Sequence, residues 1–127
     1  MNKQVKRVVL VAAVAMVCVP AASAAGKADT RVTLDNIEVT PFGTIWTGDI
    51  FSARRSCKNE RRVFVYRVLD GPDQKRGSTL SYKGSHVPGY FWAYEESGIP
   101  PAGNYYAQVR PTRECKGDRS TMYGIAP

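Results

Sequence analysis

Asn104-Tyr105-Tyr106-Ala107-Gln108-Val109-Arg110 is the stretch on which the fold turns. Side chains of an extended strand alternate between two faces, so Tyr105, Ala107 and Val109 make one apolar row and Tyr106, Gln108 and Arg110 the other. The first row is expected in a core. The same alternation in Arg62-Val63-Phe64-Val65-Tyr66-Arg67 turns Val63 and Val65 inward and Arg62, Phe64 and Tyr66 outward. A further aromatic set, Tyr90, Trp92 and Tyr94, alternates with Phe91 and Ala93, and either face of that strand suits burial.

Working outward, 11 Gly and 8 Pro punctuate the chain. After residue 24 the longest stretch free of both, Asp49 to Asp70, is split by the polar run Arg54-Arg55-Ser56-Cys57-Lys58-Asn59-Glu60. No helix of ordinary length with an apolar face fits, whereas short strands between turn residues do. They are expected near Val32 to Thr40, Thr44 to Ala53, Arg62 to Leu69, Ser78 to Lys83, Tyr90 to Glu95, Asn104 to Arg110 and Ser120 to Ile125. Asp70-Gly71-Pro72-Asp73, Lys83-Gly84 and Pro100-Pro101-Ala102-Gly103 supply the turns. Seven short strands at this spacing predict an all-β, antiparallel β-sandwich of immunoglobulin-like architecture.

The first 24 residues read differently. Lys3, Lys6 and Arg7 precede an uncharged run from Val8 to Val19, and Pro20 leads to Ala22-Ser23-Ala24. This is the pattern of a secretory signal peptide cut after Ala24, and the run is too short to span a bilayer. Residues 25–127 are then one domain with no membrane segment. Cys18 leaves with the leader, and loss of its three cations lowers the formal charge from +7 to +4. In an oxidising compartment the two remaining cysteines, Cys57 and Cys115, are expected to pair. Closing that loop of about 58 residues stabilises the fold by roughly 4 kcal/mol on a chain-entropy argument.

Several chemistries are excluded by inventory. His86 is the single histidine, the cysteines lack CxxC spacing, and no P-loop, GxGxxG or HExxH occurs, so no metal or cofactor is expected.

Gly48-Asp49-Ile50-Phe51-Ser52, Cys57, and Arg62-Val63-Phe64-Val65-Tyr66-Arg67 stand in an order that resembles the opening strands of carboxypeptidase-regulatory-like domains. Gly89-Tyr90-Phe91, Gly103-Asn104-Tyr105-Tyr106-Ala107 and the segment Cys115 to Ser120 continue the resemblance, which covers roughly Thr44 to Ile125. It is similar to a version found in secreted bacterial proteins. The resemblance implies a transthyretin-like sandwich acting as an accessory or scaffold domain, and carries over no catalytic residue. Arg31 to Thr40 and the Ser85-His86-Val87-Pro88 turn depart from that pattern.

Five cations, Arg54, Arg55, Lys58, Arg61 and Arg62, fall within nine residues around Cys57. The disulfide would draw Arg113, Lys116 and Arg119 toward them, making a basic rim suited to an anionic cell-envelope polymer or acidic polysaccharide. Tyr66 and Trp92 are candidate stacking partners beside it. The same residues also read as a solvated loop and as core rings. With no RNP-type motif, specific nucleic acid binding is not expected. An alternative is a small secreted hydrolase of ribonuclease type, using His86, Glu95 or Glu96, and Arg110. A glycosidase pairing Glu95 or Glu96 with Asp49 or Asp70 has less to support it. A third alternative is a purely structural subunit, with Lys83 and Asn104 as conceivable partners in an isopeptide bond. The expectation is a non-catalytic secreted module.

Overall fold

The computed structural model describes residues 26–127, so the leader expected at residues 1–24 lies outside the described residues. The chain is built from strands β1 (Arg31–Val32), β2 (Asn36–Thr40), β3 (Gly43–Phe51), β4 (Arg62–Arg67) and β5 (Gln74–Leu80), followed by β6 (Tyr82–Lys83), β7 (Tyr90–Glu96), β8 (Gly103–Val109), β9 (Asp118–Arg119) and β10 (Tyr123–Ile125). They form two antiparallel sheets. In the first, β3 lies between β7 and an edge made jointly by β1 and β2, with β6 outside β7. In the second, β4 and β8 are central, β5 is one edge, and β9 and β10 share the other.

Alternation builds the core between the sheets. Trp46 and Ile50 of β3 and Trp92 of β7 meet Val63 and Val65 of β4 and Tyr105, Ala107 and Val109 of β8. Trp46 packs edge-on against Tyr105, ring centroids 4.8 Å apart. The inward rows expected for β4 and β8 are therefore the ones observed. The ambiguous strand is resolved too: Trp92 is fully buried, with Tyr90 and Tyr94 packed partly buried beside it.

Two expected strands are divided and a third is shortened, each for a local reason. Val32 to Thr40 pairs with β3 throughout, but its register slips, Val32 standing opposite Ile50 and Asn36 opposite Thr47. Three residues, Thr33, Leu34 and Asp35, thus face two, an arrangement that bends a strand and switches its faces. Val32 points inward before the bulge, Leu34 within it and Ile37 after it, so the inward parity switches from even to odd positions. Gly48 makes this possible. Trp92 lies opposite it and donates from Nε1 to the bulge carbonyl of Thr33 at 2.8 Å, through space that a β-carbon on Gly48 would occupy.

Of the strand expected at Ser120 to Ile125 only Tyr123–Ile125 forms, separated by the same kind of bulge from β9 just before it. Gln108 stands opposite Arg119 and Tyr105 opposite Tyr123, so three residues again face two. There the Ser120 hydroxyl accepts from the Ala107 amide at 2.9 Å in place of a ladder carbonyl. The strand expected at Ser78 to Lys83 instead begins at Gln74 and stops at Ser81, where the chain crosses from the second sheet to the first. Ser81 is buried at that corner; its Oγ donates to the Lys58 carbonyl at 2.7 Å and accepts from the Arg61 amide at 2.8 Å.

Cys57 and Cys115 form the expected disulfide, Cα atoms 5.4 Å apart. It ties the 3-10 turn Arg55–Cys57, between β3 and β4, to the segment after β8. Ala28 adds a parallel bridge to Cys115, so three chain segments converge there.

Candidate functional site

The five clustered cations do not act as one surface. Alternation continued back from Val65 and Val63 turns Arg61 inward, and its side chain is buried beside the disulfide. Nη1 donates to the Cys57 carbonyl at 2.8 Å and to Thr30 Oγ1 at 3.3 Å, and Nη2 donates to the carbonyls of Arg110 and Lys116 at 2.8 and 2.9 Å. Burial lowers the pKa of this guanidinium. Arg61 is thus a brace between the loop and the segment after β8, and is withdrawn from the rim. Trp92 is withdrawn for the reason already given: its ring is fully buried and its N–H engaged, leaving no face for stacking.

The remaining loop cations stay at the disulfide end. Arg54 donates from Nη1 to the Glu114 carbonyl at 2.9 Å, Arg55 is exposed, and Lys58 lies with Nζ 5.0 Å from the centroid of Tyr90. Lys116 is exposed and paired with Asp29 at 2.8 Å. Arg62 leaves this group. As the first residue of β4 it projects from the outer face of the second sheet, within 3.4 Å of Ser78 Oγ.

On that outer face the structure assembles a larger array. Tyr66 of β4 stands opposite Tyr106 of β8, and their rings stack with centroids 5.3 Å apart and planes 18° from parallel. Arg119 lies over Tyr106 at 4.2 Å, and Arg110 lies over Phe64 at 4.0 Å while donating from Nη2 to the Tyr66 hydroxyl at 2.9 Å. Lys75 of β5 approaches Phe64 at 5.5 Å. Each such cation–ring contact stabilises by about 0.5–1 kcal/mol at an exposed site, enough to restrict where the charge is held. Cations and rings thus interleave across β5, β4, β8 and β9.

Tyr106 is the surprise of this face. Alternation points it outward, as expected, yet only 2% of it is accessible because Tyr66 and Arg119 cover its ring. Its hydroxyl donates to Asp73 Oδ2 at 2.7 Å. Burial, and then this hydrogen bond, push the phenol up to about 12. The same bond, with one from the Leu69 amide, holds the Asp73 carboxyl below the ordinary carboxylate range.

The outward row Arg62, Phe64, Tyr66 was readable in β4 alone. Lys75 was not, because Gln74-Lys75-Arg76-Gly77 has no apolar alternation to mark it as a strand. Tyr106, Arg110 and Arg119 carried only the signal of parity or loop charge, and pairing brings them beside β4.

The residue types considered for catalysis are placed apart. His86 sits exposed in the turn between β6 and β7, Glu96 is paired with Arg76 at 2.8 Å, and Arg110 is on the second sheet over Phe64. Asp49 lies beside Asp35 on the first sheet; burial, and then the Asp35 carboxylate, raise its pKa. Lys83 and Asn104 are exposed on strands of different sheets, so an isopeptide between them is not set up. Compared with known proteins, the chain matches no family model, no curated protein and no solved structure.

Proposed function

We propose that this chain is a non-catalytic binding module, secreted to the cell envelope or extracellular space, that holds an anionic polymer across the outer face of its second sheet. One observation carries the reading: Lys75, Arg110 and Arg119 are held over the rings of Phe64 and Tyr106, with Arg62 on the same strand as Phe64. Asp73 is the acid engaged there, and it is occupied by Tyr106. Rings already stacked on one another or covered by guanidinium groups serve as supports. Contact with the polymer runs through guanidinium and ammonium N–H groups, so charge is recognised in preference to a base or sugar plane. A disulfide and the signal-peptide pattern support an extracytoplasmic setting. The resemblance to carboxypeptidase-regulatory-like domains fits an accessory role of this kind.

The test is binding to immobilised heparin or polyphosphate at salt from about 20 to 500 mM, a range over which screening passes from weak to strong. Wild-type retention should fall steeply with salt. The double variant Arg62→Ser/Lys75→Ser, which leaves the Tyr66–Tyr106 stack in place, should bind about tenfold more weakly and with a shallower salt dependence. A larger loss in Arg54→Ser/Arg55→Ser/Lys58→Ser would move the site to the disulfide end. Salt-indifferent retention would refute the reading.

A further inference from the structure

Away from this face, on the first sheet, a cavity of about 410 Å³ opens where the end of β3 meets β1, the start of β7 and the loop carrying Lys58. Its walls include Ile50, Phe51, Ala53 and Tyr90. The hydroxyls that line it are already used: Ser52 Oγ donates to the Asp29 carbonyl at 2.6 Å, and Thr30 Oγ1 accepts from Arg61. Two cations complete the lining. Arg31 lies over the Phe51 ring at 4.5 Å and Lys58 over the Tyr90 ring at 5.0 Å, and among the described residues neither has an ion pair. The acids alongside are engaged, Asp29 with Lys116 and Asp49, which also feels Arg31, with Asp35.

We infer that this cavity is a binding site for a small organic anion, a ring-sized apolar body bearing an anionic head group. The volume lies at the small-ligand end of the usual range and is too little for a folded partner. The apolar walls receive the body. Arg31 and Lys58 line it as cations with no ion pair among the described residues, while the lining carboxylate of Asp29 is paired with Lys116, so charge complementarity favours an anionic head. This site shares no residue with the outer face of the second sheet and stands independently of the polymer-binding proposal.

Phenyl phosphate is the probe, followed through the backbone amide shifts of Ala53 and Gly89 in isotope-labelled protein. Saturable shifts are expected, with phenol and inorganic phosphate each at least about tenfold weaker because each keeps half of the complementarity. Arg31→Gln/Lys58→Gln should weaken phenyl phosphate about tenfold while leaving phenol unchanged. Ala53→Trp should obstruct the cavity and abolish the shift at Gly89, with the far amides of β8 confirming an intact fold. Absence of binding, equal binding of inorganic phosphate or phenol, or full affinity in either variant would overturn the site.

Discussion

Arg61 is a buried cation satisfied by carbonyls and one hydroxyl, with no carboxylate among its hydrogen-bond partners. Truncation leaves those oxygens short of a donor, so Arg61→Ala should cost about 2–4 kcal/mol in urea denaturation. Arg61→Lys should recover only part of this, because a compact ammonium cannot bridge the Cys57 and Lys116 carbonyls as a planar fork does. An exposed neighbour, Arg55→Ala, should change stability by less than about 0.5 kcal/mol. Nothing in the composition of Arg54 to Arg62 separates the structural arginine from the others; the signal was its parity with Val63 and Val65, obscured because a loop runs up to it. Trp92 was hidden for the opposite reason, since both faces of Tyr90 to Tyr94 are apolar. Gly48→Ala is the sharpest test of the β3–β7 packing. Its β-carbon would meet the Thr33 carbonyl and Trp92 Nε1, and a loss of about 2–3 kcal/mol is expected.

Among elements, the β4–β8 pair sets the pH response of the second sheet. Tyr106 is raised from its ordinary 10 to about 12, so the folded state prefers the neutral phenol more strongly than the unfolded chain does. That contribution is complete below pH 10 and is lost as pH climbs through about 12. Asp73 has the opposite sign: its depressed pKa contributes above the ordinary carboxylate range and is lost as acid carries pH through the lowered value. Urea midpoints measured across alkaline pH should therefore fall in wild type, and Tyr106→Phe should flatten the part of the fall due to this group. The central strands were legible because β3, β4 and β8 alternate between a core row and an outer row. The edges were not. Thr33 to Asp35 and Ser120 to Met122 look like continuous strand in sequence, and only their pairing partners show the added residue. Strand β5 is almost wholly polar, and is a strand because β4 offers it a free ladder.

For the molecule as a whole, the disulfide decides how well the loop, the N-terminal segment at Ala28 and the segment after β8 stay together. Reduction restores to the unfolded chain the freedom of a loop spanning 58 residues, which weakens the fold by roughly 4 kcal/mol. Thermal midpoints with and without reductant should differ accordingly; equal midpoints would mean the bond contributes no net stability. The sandwich and its bridge were thus legible from alternation, turns and two cysteines. The candidate site was legible only in half, because charge density along a chain does not report which cations a fold will turn inward. The two edge bulges have a consequence beyond geometry. A long, flat sheet margin invites the backbone of a neighbouring molecule to add itself as another strand, the first step toward fibrils. Here two of the four margins are each split into short pieces with a kink between, a third, β5, carries Lys75, Arg76 and an irregularity opposite Val65 and Tyr66, and the fourth is the two-residue strand β6. Such margins offer a second copy of the chain no long, flat edge on which to add a strand.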